Sequence, residues 1–312
     1  MGKVAFLFPG QGSQAVGMGQ ALHGADASCA ALFEEANTVL GEDLRGLMFD
    51  GPEADLTLTR NTQPALVVTA MAAYTLLRQQ SDLQADFVAG HSLGEYAAIC
   101  AAGGLSFADA IRLTRLRGDA MQKAVPVGVG AMAAMLNMEA ALVEEVCQAA
   151  SQALGQVCVP ANYNTPAQIV ISGDKAAVEH AVALAKERGA KRCVMLSVSA
   201  PFHCPLMQPA ADAMAQALAQ TPMQDLSIPL VANVNAGITT DAETVRQQLV
   251  AQVCGSVRWE ASIRAMIAQG VDRFVEIGTG KVLTGMLKRI DGSVRGVAVN
   301  GPEDMAALAE LL

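Results

Sequence analysis

The pentapeptide Gly90-His91-Ser92-Leu93-Gly94 constrains this chain more than any other stretch. It follows a short apolar run, Phe87-Val88-Ala89, and precedes an alanine-rich, helix-prone segment from Glu95 to Ala102. Strand, sharp turn and helix in that order are the context in which G-x-S-x-G forms a nucleophile elbow. Its two glycines allow a tight turn and close packing around the serine. The Ser92 hydroxyl then stands clear of the sheet, beside helix N-terminal N–H groups that can stabilise an oxyanion. Five residues alone leave the chemistry open, so the rest of the chain must supply a base and a substrate site.

Strands alternating with helices on both sides of the elbow indicate a largely parallel, covered sheet. The chain opens with a buried-type strand, Val4 to Phe8, that ends in Pro9-Gly10-Gln11-Gly12-Ser13. Helical patterns cover 27–40, 61–79 and 107–123; the second begins at Asn61-Thr62-Gln63-Pro64, with proline near its first turn. From Val127 the texture changes. Strands at 130–136, 157–162, 168–172 and 191–196 and helices at 138–150 and 174–188 give the β-α-β-β-α-β order of a ferredoxin-like unit. The expected fold is therefore α/β: an α/β-hydrolase-like large subdomain, 1–126 and 199–312, interrupted by a small ferredoxin-like subdomain, 127–198. In the second part of the large subdomain come a strand at 228–232, helices near 241–269, a strand at 274–277 and a C-terminal helical stretch.

Composition agrees with a compact enzyme. Of 312 residues, 52% are hydrophobic and 16% charged. The net charge of −9 argues against general binding to nucleic acid or anionic membrane. Seven scattered cysteines with apolar neighbours and no C-x-x-C pair suit reduced thiols in the cytoplasm. The apolar run after Lys3 is too short for a signal-peptide core, and no charge-poor stretch is long enough to span a membrane. No cluster has metal-ligand spacing. Gly128 to Ala133 matches G-x-G-x-x-A but precedes a strand, and Gly278 to Val282 lacks the rest of a P-loop, so no cofactor is expected.

Four histidines could serve Ser92. His91 lies in the elbow, where its side chain points away; His180 reads as a solvated helix residue, and His23 lies in a polar N-terminal loop. His203, in Ser199-Ala200-Pro201-Phe202-His203, sits where the insertion returns to the main domain, a junction that favours function over packing. A helix-capping role for His203 is the bland alternative. Among Arg112, Arg115 and Arg117, only Arg117 adjoins a glycine, which suggests close backbone approach. An arginine near an acyl-serine could clamp a substrate carboxylate with two hydrogen bonds.

With these residues in place, the chain resembles the malonyl-CoA:acyl-carrier-protein transacylases of fatty-acid synthesis. The likeness runs through Phe8 to Gln14, Asn61 to Ala65, Gly90 to Tyr96, Arg117-Gly118, Gly130 to Ala134, Ala161 to Asn164, Ser199 to His203 and Gly280 to Leu283. The resemblance implies a ping-pong transfer of malonyl from malonyl-CoA through a malonyl-Ser92 ester to a carrier-protein thiol. It implies His203 as general base, oriented by a backbone carbonyl at the position of Gln252, and the N–H groups of Gln11 and Leu93 as oxyanion hole. Arg117 would bind the malonyl carboxylate and Asn162 would support the pocket. Phe202 fits the malonyl-type version of the family.

The implied partners are CoA and an acidic acyl carrier protein, met by a monomer. Docking on an acidic chain then needs a local basic patch, at Lys186, Arg188, Lys191 and Arg192 or at Lys288 and Arg289. Cys204, next to His203, could make the site sensitive to alkylation. Rival readings are a malonyltransferase of a polyketide or malonate decarboxylase system, a serine esterase, and a non-catalytic carrier-protein-binding homologue.

Overall fold

In the computed structural model, which describes residues 2–311, ten strands follow one another along the chain. They are β1 (Lys3–Phe8), β2 (Phe87–Gly90), β3 (Gly130–Leu136), β4 (Cys158–Thr165), β5 (Gln168–Asp174), β6 (Arg192–Met195), β7 (Leu230–Val231), β8 (Ile238–Thr239), β9 (Val271–Ile277) and β10 (Arg295–Val299). They form two sheets. Six strands run in the order β10-β9-β1-β2-β7-β8, and four run in the order β4-β5-β3-β6.

In the larger sheet β1 lies at the centre, parallel to both β2 and β9, and only the β7–β8 pair is antiparallel. The unbroken apolar run Val4 to Phe8 follows from that place, because helices cover both faces of a central parallel strand. Phe6 and Phe8 face the main core, while Ala5 and Leu7 face a second cluster with Trp259 and Ile263. The smaller sheet is antiparallel throughout, and helices Ala140–Leu154 and Lys175–Glu187 pack on it through Val143, Val146, Val178 and Ala181. Its strand order is the one expected of the β-α-β-β-α-β pattern.

Several expectations need correction. The expected C-terminal helical stretch forms as helices Val282–Ile290 and Met305–Leu311, but β10, an edge strand parallel to β9, interrupts it. Arg295 to Val299 is short and only half-buried, so its alternation carried little signal. The strand at 228–232 shortens to two residues and returns through β8. His23 lies in a helix, Gln20–Ala25, stacked edge-on against Phe33 and Phe49, and not in a polar loop. The helix expected from 61 begins at Thr59, which puts Pro64 inside it rather than near its first turn. Among the described residues no helix is long and apolar enough to cross a membrane.

Candidate active site

The carboxyl ends of β1, β2 and β9 open on one edge of the larger sheet, where ligands bind in parallel α/β architectures. Ser92 follows β2 with φ 52°, the left-handed conformation of a sharp strand-to-helix turn. Glycine is required on both sides. A Cβ on Gly90 would overlap the Gly94 carbonyl, and one on Gly94 would meet the Phe8 carbonyl oxygen. Asn233, just beyond β7, straps the turn: its Nδ2 donates to Gly90 O and its Oδ1 accepts from Ser92 N–H, both at 2.7 Å.

His203 also adopts a left-handed φ, 58°, and its Nε2 stands 2.7 Å from Ser92 Oγ. Its Nδ1 faces the Gln252 carbonyl oxygen at 2.9 Å. A carbonyl only accepts, so the ring proton belongs on Nδ1 and the Nε2 lone pair faces the hydroxyl. Gln252 lies near the end of helix Ala242–Cys254, where carbonyls have no partner within the helix. Burial, reinforced by the Arg117 charge, holds the imidazole down at about 3, so it is neutral at ordinary pH.

Arg117 is fully buried on helix Phe107–Ala124. Its Nη2 donates to Ser92 Oγ at 3.1 Å and to Gln252 Oε1 at 2.7 Å, and its Nη1 donates to Gln63 Oε1 at 2.9 Å. All three acceptors are neutral, and its Nε has no protein partner among the described residues. The guanidinium also lies 6.0 Å from the centre of the Tyr96 ring. The glycine after Arg117, Gly118, lets this helix pack closely on helix Thr59–Gln80, because a Cβ there would come within 2.6 Å of Arg60 Cα.

These groups open into a cavity of about 270 Å³. Gln11 and Leu93 line it near Ser92, and neither backbone N–H donates to a protein acceptor among the described residues. The smaller sheet supplies another wall with Asn162, Asn164 and Gln168, while Val282, Leu283 and Met286 from helix Val282–Ile290 add an apolar side. His91 Nε2 donates to Asn164 Oδ1, 2.9 Å away, and the ring packs on Trp259. Among the described residues no group of three or more His, Cys, Asp or Glu could hold a metal ion.

The structure thus brings Gln11, Leu93, Ser92, Arg117, Asn162, His203 and Gln252 around one cavity or its immediate supports. Sequence reasoning assigned no role to Gln63, Glu95 or Asn233. The first two stand inside Asn61 to Ala65 and Gly90 to Tyr96, so a signal was present without a role, whereas Asn233 had none. Two expectations change. Cys204 is buried, its Sγ donates to Pro201 O, and burial lifts its thiol to about 11, which removes the case for alkylation. Arg188 is paired with Glu145 at 2.7 Å, which takes it out of the free basic patch.

An acyl transferase domain model matches residues 5–300. The malonyl CoA-acyl carrier protein transacylase of Bacillus subtilis (strain 168) is 45% identical over 312 residues, covering 100% of this chain and 98% of its own. The chain belongs to the malonyl-CoA:acyl-carrier-protein transacylase family. Among solved structures, an acyl carrier protein S-malonyltransferase from Vibrio cholerae O1 matches with TM-score 0.95 and 46% identity, over 98% of this chain and 99% of the other. A malonyl-transacylase solved in complex with a type II PKS acyl-carrier protein matches with TM-score 0.95 and 42% identity, over 99% of both. Family membership and the two-sheet fold therefore agree along almost the whole chain.

Proposed function

We propose that this protein is an acyl-carrier-protein S-malonyltransferase that moves malonyl from malonyl-CoA to a carrier-protein thiol through a malonyl-Ser92 ester. The observation that carries this reading is Ser92 Oγ, held at once by His203 Nε2 at 2.7 Å and Arg117 Nη2 at 3.1 Å. His203 accepts the Ser92 proton as Oγ attacks the thioester carbonyl carbon. The oxyanion formed is stabilised by the N–H groups of Gln11 and Leu93, a term worth about 10²–10³ in rate per donor. Collapse expels the CoA sulfur, which takes the proton from His203. The carrier thiol then gives its proton to His203, attacks the ester carbonyl, and Ser92 leaves with that proton.

Arg117 pairs with the malonyl carboxylate in this scheme, exchanging neutral acceptors for an anion. An acetyl group leaves the arginine with its neutral partners, so selectivity comes from the gain of a charge-assisted pair rather than from a bare cation. Asn162 supports the acyl chain's surroundings. The reading extends to an inserted subdomain at 127–198, a monomeric protein and a cytoplasmic setting, supported by seven unpaired cysteines. For carrier docking it favours Lys186, Lys191 and Arg192, or Lys288 and Arg289.

Incubation with malonyl-CoA and rapid quenching should add one malonyl group to the Ser92 peptide in the mass spectrum, and Ser92→Ala should show none. An unmodified wild-type serine would refute the enzyme. A second reading, service to a polyketide carrier protein, is favoured by the likeness to the transacylase solved with such a partner. Transfer rates to fatty-acid and polyketide carrier proteins, measured side by side, separate the two.

A further inference from the structure

Beneath the elbow lies a buried carboxylate that the transfer scheme does not use. Glu95 sits in the first turn of helix Gly94–Ala101 and is 1% exposed. Its Oε1 accepts from the Asn233 backbone N–H at 2.5 Å, and its Oε2 accepts from Gln252 Nε2, also at 2.5 Å. The same Nε2 donates to Ser92 O at 2.8 Å, while Gln252 Oε1 accepts from Arg117 Nη2. A carboxylate only accepts and a guanidinium only donates, so the Gln252 amide has one satisfactory orientation between them. Turning it over would set C=O against carboxylate and NH₂ against guanidinium.

We propose that Glu95 is a positioning residue for the Ser92 relay: its carboxylate sets the orientation of the Gln252 amide, and through Gln252 and Asn233 it holds Arg117, His203 and the elbow in register. Both arms of the carboxylate matter. One reaches Asn233, whose side chain straps Gly90 to Ser92, and the other reaches the residue whose carbonyl orients His203. Carboxylate, amide and guanidinium also form a buried chain in which Glu95 answers the Arg117 charge at one remove. The inference rests on the malonyl-transfer reading.

The charged group acting on Glu95 is Arg117 from helix Phe107–Ala124; Tyr96 on its own helix is pushed up to about 12 and stays neutral, and the Asn233 loop and the Gln252 helix face it with neutral amides. Burial raises its carboxyl to about 7 against the pull of its hydrogen bonds and of Arg117. Below that pH a proton on Glu95 replaces one acceptor with a donor and breaks one arm.

The test is single-turnover malonylation of Ser92 by wild type, Glu95→Gln and Glu95→Asp, followed from about pH 5.5 to about 9. Glu95→Gln should slow acylation about tenfold to a hundredfold, with KM changing less than kcat. Glu95→Asp, which keeps the acceptor but shortens it, should recover part of that loss. The wild-type rate should fall on the acid side through a group near 7 that is missing from Glu95→Gln. A Glu95→Gln enzyme with wild-type rate and an unchanged acid limb would overturn the proposal.

Should Glu95→Gln not fold, combination of Glu95→Asp with Gln252→Met decides. If Glu95 acts through Gln252 the two losses are not additive, and full additivity overturns the proposal. Wild type is the control for the underlying reading. If its Ser92 takes no malonyl group, both conclusions fall; if it does and Glu95→Gln matches it, only this one falls.

Discussion

The two sheets meet at one cavity but contribute to it in opposite ways. The larger, mostly parallel sheet places backbone turns and buried polar groups at its strand ends: Gln11 after β1, Ser92 after β2 and Asn233 after β7. Around them Arg117, Glu95, His203 and Gln252 share hydrogen bonds in the interior. The smaller sheet has a core of Val, Ile, Ala, Met and Cys and turns only strand side chains toward the cavity, with Asn162, Asn164 and Gln168 among them. Chemistry that needs fixed donors and a strained turn sits where strand ends converge, and shape is supplied by a face that can vary without disturbing it.

That division can be broken by mutation. Ser92→Ala should remove the acyl-enzyme altogether, a loss of about 10⁶-fold in transfer; residual transfer through another residue would move the chemistry off the larger sheet. His203→Ala should slow both acylation and deacylation by at least about 10³-fold, read by pre-steady-state quench. Near-normal rates would remove it as the base.

Arg117→Ala should lower malonyl transfer about 10²–10³-fold and acetyl transfer far less, since only malonyl gains the ion pair. Equal losses would sink the carboxylate clamp. On the other side of the cavity, Asn162→Ala should raise KM several-fold, less than about tenfold, with kcat nearly unchanged. A drop in kcat matching that of His203→Ala would mean that the smaller sheet takes part in the chemistry.

A last effect concerns stability rather than rate. Folded His203 is held at about 3, below its ordinary 6.5, by burial and then by Arg117. Its contribution is therefore complete above about pH 6.5 and is lost as pH falls toward 3, because the unfolded chain binds a proton that the folded imidazole refuses. His203→Gln should flatten that part of a denaturation-midpoint curve against pH. An unchanged slope would place the imidazole in contact with solvent.

Much of this was legible in the chain. The apolar run of β1, the glycines of the elbow and the change of periodicity after Val127 each follow from local rules, and each element formed close to its expected place. Residues lying in recognisable motifs, such as Ser92, Arg117 and His203, could be named before any coordinates. β10 and the β7–β8 turn were not legible, because short, half-buried edge strands have little alternation to read.

By itself, then, the sequence determined a nucleophile, its turn and the two kinds of sheet, since these depend on neighbours within a few residues. Tertiary structure alone decided how Glu95, Asn233 and Gln252, up to 157 positions apart, divide their hydrogen bonds beneath Ser92. It also decided that Arg117 meets neutral acceptors and that Cys204 is shut away from solvent. The physical reason is that burial and amide orientation are properties of the packed interior. A buried carboxylate, amide or guanidinium is set by the partners that surround it, and those partners come from strand and helix ends that only the fold brings together.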